Sequence, residues 1–221
     1  MKATGIVLTG GKSRRFGSDK TRLSWGGKTL VERRVDQYAP LFDEILIVGS
    51  APGKFSIPGV REVEDIFPEA GPLGGIHAGL FHAAYERVFV TACDMPFFDA
   101  SLALRLLDLA REGDAAIPQQ GTGTQPLFAV YCRSALPEIE KMLREEQRSV
   151  RLLYGRVRTK YLVYSEKENK KEAAPQENVS PVSSLRNPFF DVFFNINFPE
   201  DYRRLLETLE EFPTEHPLPQ G

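Results

Sequence analysis

The sequence predicts an α/β fold, a mostly parallel twisted sheet with helices on both faces. Two observations carry that prediction. Short apolar, β-prone runs recur at 4–9, 44–49, 87–92 and 114–118, and between them lie segments whose apolar residues repeat at helical spacing. Strands alternating with helices call for crossovers that cover the faces of a parallel sheet. The runs are also continuously apolar, as strands buried on both faces are.

In order, TGIVLT at 4–9 reads as a buried strand ending at two glycines. From Thr29 to Tyr38, the residues Leu30, Val31, Val35 and Tyr38 recur at helical spacing. EILIVG at 44–49 is a second buried strand, and residues 60–64 form a short third. Gly74 to Tyr85 reads as a helix with Ile76, Gly79, Leu80 and Ala83 on one stripe. RVFVTA at 87–92 is a strand stopped by Asp94-Met95-Pro96, followed by a helix over Leu102–Ala110 and a strand at 114–118. QPLFAVY at 125–131 reads as a strand, Pro137–Arg144 as a helix, and 149–154 as a short helix before a strand at 156–164. Residues 166–188 are polar, rich in Lys and Glu, and contain Pro175, Pro181 and Pro188, so they predict an exposed, mobile insertion. FFDVFFNIN at 189–197 restores order as a strand, and Pro199 opens a last helix to about Phe212. No internal repeat is visible, and residues 1–221 read as one domain.

Composition narrows the function. A net charge of −2 excludes a nucleic-acid wrapper or a polybasic membrane binder. No apolar run has the length of a membrane span, and the first residues lack the pattern of a signal peptide, so the cytoplasm is expected. Cys93 and Cys132 lie far apart without metal-type spacing, and a reducing compartment fits them. His77, His82 and His216 share no ligand spacing and read as structural or exposed.

The loop Gly10-Gly11-Lys12-Ser13-Arg14-Arg15-Phe16-Gly17-Ser18-Asp19-Lys20 follows the first strand. Its glycines let backbone N–H groups close on an anion, and Lys12, Arg14, Arg15 and Lys20 add positive charge. A triphosphate needs that combination. The loop is not a Walker A motif, because the glycine required upstream of Gly11-Lys12-Ser13 falls on Ile6; nor does it hold a dinucleotide G-x-G-x-x-G. Asp94 follows the strand 87–92, at the carboxyl end where ligands of open α/β sheets bind, and reads either as a Mg²⁺ ligand or as a turn aspartate. Asp65 precedes Gly71-Pro72-Leu73-Gly74-Gly75, which is either a second anion-facing glycine cluster or a plain helix start. Asn195 and Asn197 alternate on one strand face and offer hard oxygen donors.

Together these blocks resemble the molybdenum cofactor guanylyltransferase family (MobA). The opening Leu8-Thr9-Gly10-Gly11 through Lys20 is close to the family signature. Glu64-Asp65 with Gly71–Gly75, Cys93–Phe97, Gln125-Pro126-Leu127 and Asn195–Pro199 follow in the family's order. The resemblance implies a Rossmann-like nucleotidyltransferase fold and transfer of GMP from GTP to the terminal phosphate of molybdopterin or Mo-molybdopterin, with release of pyrophosphate. It implies that Leu8, Thr9, Gly10, Lys20, Asp65 and Asp94 bind GTP and that Asp94 also holds Mg²⁺. From the residues themselves, Gly11 and Gly74 of the two glycine clusters are candidate GTP contacts, Arg15, Lys20 and Asp94 are the candidate catalytic residues, and Asn195 and Asn197 are candidate further metal ligands. Other cofactor-biosynthesis proteins and molybdoenzymes are the transient partners it suggests. The chain departs from the family at Thr9, usually alanine, at Phe16, usually methionine, and at Gly49-Ser50, where many members carry an asparagine contact. CTP-using relatives usually open Leu-Ala-Ala-Gly, so Gly10-Gly11 resembles the GTP users. The competing readings are a molybdopterin cytidylyltransferase, a sugar-phosphate nucleotidyltransferase and a GTP-binding sensor without catalysis.

Overall fold

The structure, a computed structural model, describes residues 2–10, 20–49, 53–164 and 191–211. Gly11, Arg15, Ser50 and the expected insertion at 166–188 lie outside them. The central strand is β1 (Thr4–Leu8). It pairs in parallel with β4 (Glu44–Val48) on one side and β6 (Arg87–Ala92) on the other. Beyond β4 lies β5 (Arg61–Val63), also parallel. Beyond β6, β9 (Phe128–Cys132) runs antiparallel, followed by β7 (Ala115–Gln120) and then β10 (Thr159–Val163), parallel to β7. The order is β10-β7-β9-β6-β1-β4-β5, with β8 (Gly123–Thr124) hairpinned onto β7. The sheet is therefore mixed but mostly parallel, as the alternating pattern predicts.

Helices cover both faces. Because successive strand residues point to opposite sides, Val7, Ile47 and Phe89 pack against Val31, Val35, Leu102 and Leu106 of α1 (Leu30–Tyr38) and α3 (Ala100–Leu109). Ile6, Leu8, Leu46 and Val90 pack against α2 (Pro72–His82), α4 (Leu136–Arg144) and α5 (Val150–Leu153) on the other face. No helix among the described residues is long and apolar enough to cross a membrane.

Local chemistry sets the helix ends. Thr29 opens α1 with a capping box: its hydroxyl accepts from Glu32 N, and Glu32 accepts from Thr29 N at 2.7 Å. Asp99 caps α3 by accepting from Leu102 N at 3.0 Å, so that helix starts before the expected Leu102. Helix α2 ends at His82 rather than Tyr85, because Ala83 is extended and Ala84 N donates to Glu44 Oε2 instead of to the helix.

Three expectations are corrected. The segment 191–197 is not a strand. Asp191 turns the chain there, its carboxylate and carbonyl accepting from Phe193 N and Phe194 N, so no ladder can run through it. Gln125–Leu127 lies outside β9, because Gln125 is drawn back by its N–H to Pro118 O. Residues 24–29 form an unexpected hairpin of β2 (Ser24–Trp25) and β3 (Lys28–Thr29). That hairpin matters for the C-terminal segment. Trp25 and Leu30 join Phe97, Ile196 and Leu205 in a separate apolar cluster, which fastens α6 (Pro199–Glu211) and the 191–197 segment to the N-terminal half.

At the opposite end of the sheet, Asp114 ties three segments together. Its Oδ2 accepts from the backbone N of Arg158 at 2.9 Å, and its Oδ1 accepts from Arg158 Nη2 at 3.0 Å and Ser134 Oγ at 2.7 Å. The Arg158 side chain above all, with Ser134 and the Arg158 N–H, holds this carboxyl well below the usual carboxylate range against the opposing effect of burial. A depressed acid contributes stability that is complete above its unfolded pKa of about 4 and is lost as pH falls below it. We expect Asp114→Asn to cost about 1 kcal/mol at neutral pH. Denaturant midpoints measured from pH 7 down to 2 should show a steep acid decline in the wild type and a shallower one in the variant.

Candidate active site

Three adjacent parallel strands release the chain at the same edge of the sheet. In register, Leu8 stands beside both Val48 and Ala92. The residues that follow, Thr9-Gly10, Gly49 and Cys93-Asp94, therefore leave from one level, where open α/β sheets bind ligands. A cavity of about 860 Å³ opens there. That volume suits a small-molecule substrate.

The first wall is backbone. Thr9 N and Thr9 Oγ1 both donate to Val48 O, at 2.9 and 3.0 Å, extending the contact between β1 and β4 by one residue. Gly49 then passes Gly10 at close range. Its φ is +96°, and a Cβ built on it would lie 2.9 Å from Gly10 N. Any side chain at 49 would both strain the backbone and push into the loop. This gives a physical reason for glycine where the resemblance implies asparagine.

The second wall is charged. Lys20 Nζ donates to Asp94 Oδ2 at 3.0 Å, and both side chains are about four-fifths buried or more, 15% and 20% exposed. Asp94 Oδ1 is buried and accepts no hydrogen bond from the described residues. Asp94 also holds the C-terminal segment, because its carbonyl accepts from Ile196 N at 2.8 Å. Asn195 and Asn197 flank that bond on the cavity, Asn195 Nδ2 donating to Phe193 O at 2.7 Å and Asn197 N to Asp201 Oδ2 at 2.9 Å, while Ile196 is buried in the apolar cluster behind. The expected shared face of the two asparagines thus exists without the expected strand.

Asp65, just beyond β5, lines the same cavity. Its Oδ1 accepts from Phe67 N at 3.0 Å. Burial raises its pKa, while the Phe67 N–H and nearby His77 pull the other way. Gly74 is not on the cavity lining; it packs beneath Asp65, where a Cβ would lie 3.0 Å from Asp65 Oδ1. Gly71 and Gly75 line the cavity instead. His77 is buried with Nε2 3.4 Å from Glu140 Oε1, and burial lowers its pKa, so it is a packed core histidine.

The structure thus brings together Leu8, Thr9, Gly10, Lys20, Asp65, Asp94, Asn195 and Asn197. It adds Arg148, which reaches the cavity from the turn before α5 and donates to Glu69 O at 3.3 Å. Nothing periodic marks Arg148 in the sequence; only its position between two helices could have drawn notice. Among the described residues no group of three His, Cys, Asp or Glu could cage a metal. Asp94 Oδ1, buried and without a partner among the described residues, and the amides of Asn195 and Asn197 on the same cavity are oxygen donors of the kind that could hold a hard cation bringing phosphate and water ligands with it.

The family model described as MobA-like NTP transferase domain matches residues 5–160. The chain belongs to this family. It is 35% identical to a probable molybdenum cofactor guanylyltransferase of Pelotomaculum thermopropionicum over 91% of this chain and 90% of that one. It is 29% identical to the molybdenum cofactor guanylyltransferase of Vibrio cholerae, covering 96% and 92%. Among solved structures, molybdopterin-guanine dinucleotide biosynthesis protein A of Archaeoglobus fulgidus superposes with a TM-score of 0.72 at 26% identity, over 95% of this chain and 100% of that one. This MobA-like chain therefore keeps the family's fold across both its sheet and its C-terminal segment.

The Gly10–Gly49 contact yields a direct test. We expect Gly49→Ala to lower stability by about 1–3 kcal/mol, the usual cost of a strained backbone position. It should also weaken nucleotide binding beyond that loss; thermal unfolding and calorimetric titration with GTP on the same sample separate the two effects.

Proposed function

We propose that this protein transfers GMP from GTP to the terminal phosphate of molybdopterin or Mo-molybdopterin, releasing pyrophosphate. The observation that carries the reading is the buried Lys20–Asp94 pair, with its unsatisfied Asp94 oxygen, on a cavity at the ends of β1 and β6. The relatives named molybdenum cofactor guanylyltransferase, aligned over most of the chain, support the choice of substrates.

In this reading the pterin's phosphate oxygen attacks the α-phosphorus of GTP. A new P–O bond forms as the bond between the α-phosphorus and the bridging oxygen to the β-phosphate breaks, and pyrophosphate takes the electron pair. The attacking phosphate is already anionic, so no general base is needed. The protein's task is to hold two anions in line and offset their repulsion. Mg²⁺, when bound at Asp94 with Asn195 or Asn197 nearby, supplies charge neutralisation on the phosphates. Lys20 exchanges Asp94 for the triphosphate and, with Arg15, stabilises the leaving pyrophosphate. The backbone around Gly10 accepts the nucleotide, and Asp65 accepts hydrogen bonds from its nucleoside part. Arg148, on the cavity near Glu69, is placed to attract the second phosphate substrate. Cys93 and Cys132, which do not pair with each other, fit the reducing cytoplasm as the place of reaction.

Mass spectrometry of the product from molybdopterin, GTP and Mg²⁺, with CTP, ATP and UTP in parallel, tests the reading. A dinucleotide formed from GTP alone is expected, and the absence of any product would overturn it. Asp94→Ala and Lys20→Met should each slow pyrophosphate release by about 10²–10³-fold, as loss of other charge stabilisers does. Near-normal turnover of Asp94→Ala with Mg²⁺ would remove Asp94 from its role.

The raised pKa of Asp65 predicts a pH dependence. The accepting form is the carboxylate, so it is lost as pH falls through a value above the ordinary carboxylate pKa of about 4. GTP affinity should therefore begin to fall in mildly acidic buffer. Asp65→Asn should bind more weakly at neutral pH and lack this inflection in a titration series.

A further inference from the structure

Helix α1 carries two buried polar groups one turn apart, Arg34 and Tyr38, and both reach the end of β6. The Tyr38 hydroxyl and Thr91 Oγ1 share a hydrogen bond of 2.8 Å. Arg34 Nη2 donates to Met95 O and, at 2.9 Å, to Phe97 O. These carbonyls follow Asp94 directly. The guanidinium is 2% exposed and stacked over Phe98, its carbon 5.0 Å from the ring centroid. Arg34 Nη1 has no hydrogen-bond partner among the described residues.

Burying a guanidinium is unfavourable, and an apolar residue would pack the same layer more cheaply. Burial lowers the Arg34 pKa to about 10, which still leaves it charged at neutral pH. A cation held there at that cost must satisfy something. What it satisfies is a turn whose inward carbonyls have no strand to pair with, because β6 ends at Ala92. From the other side, Ile196 N holds Asp94 O. The Asp94 peptide is thus fixed between two anchors, one from the helix layer and one from the C-terminal segment.

We infer that Arg34 is a positioning residue, which fixes the Met95–Phe97 turn so that the Asp94 carboxylate is presented to a divalent cation. The inference rests on the metal-nucleotide reading proposed above. It concerns a side chain that touches neither substrate nor metal. Outer residues that orient a ligand typically change metal affinity about 10–100-fold when lost.

The test uses the full chain, with Mn²⁺ as the probe. Binding of Mn²⁺ in the presence of GTP is followed by electron paramagnetic resonance, and GTP binding in EDTA by calorimetry, at a temperature where circular dichroism shows each protein folded. Arg34→Met should hold Mn²⁺ at least about tenfold more weakly while GTP affinity in EDTA stays within about twofold of wild type. Arg34→Lys, whose ammonium can reach one of the two carbonyls, should recover part of the loss. If Arg34→Met does not fold, Arg34→Lys against wild type decides the matter. Mn²⁺ affinity equal to wild type in either folded variant overturns the inference, as does an equal loss of GTP affinity in EDTA. A wild-type protein that binds no Mn²⁺ with GTP would instead refute the metal-nucleotide reading itself.

Discussion

The parallel pairing of β1 with both β4 and β6 is the constraint on which the molecule depends. It buries β1 completely, satisfies its backbone on both edges, and brings three chain exits to one level. The backbone wall of the cavity and Asp94 are elaborations of those exits. Thr9 and Gly10 continue from β1, Gly49 from β4, and Cys93 and Asp94 from β6, while Asp65 arrives from the neighbouring β5. The helices then serve the strands: α1 anchors the turn after β6, and α2 starts beside Asp65.

The cavity balances its charges before any ligand arrives. Lys20 neutralises Asp94 at 3.0 Å, in surroundings where an isolated carboxylate would be costly. Yet the match is incomplete, because one Asp94 oxygen has no partner among the described residues. A site fully satisfied on its own would resist opening for substrate. In the proposed reaction, incoming positive charge would meet the remaining oxygen, and Lys20 would turn from Asp94 to incoming negative charge.

Much of this architecture is legible in the sequence. Strands covered on both faces must be apolar throughout, so TGIVLT, EILIVG and RVFVTA are readable without knowledge of their neighbours, and the glycines and acids after them mark the ligand edge. What escapes is whatever depends on partners distant in the chain. Ala84 leaves helix α2 because Glu44 takes its N–H, and nothing near Ala84 announces Glu44. The hairpin at 24–29 did carry a local signal, Gly26-Gly27 between short β-prone pairs, which the longer pattern obscured. Asn195 and Asn197 both line the cavity, but bonds to Asp94, Phe193 and Asp201 across a turn, rather than a strand ladder, hold that stretch of chain. Gly74 shares a cluster with Gly71 and Gly75 but packs against Ala70, Phe67 and Asp65 rather than lining the cavity, which its spacing does not announce. Arg34 shares the stripe of Leu30, Val31, Val35 and Tyr38, so its burial could have been suspected, although the carbonyls that receive it could not.

The clip formed by Trp25, Phe97, Ile196 and Leu205 has a consequence for how the protein comes into being. Domains tend to fold as their residues emerge from the ribosome. The sheet from β1 to β6 can assemble while later codons are still being read, but the asparagines of the cavity arrive only with the segment before α6. Ile196 must then find Asp94 about a hundred residues back, and Leu205 must find Trp25 across most of the polypeptide. A nascent chain can therefore possess its core well before it possesses a closed site.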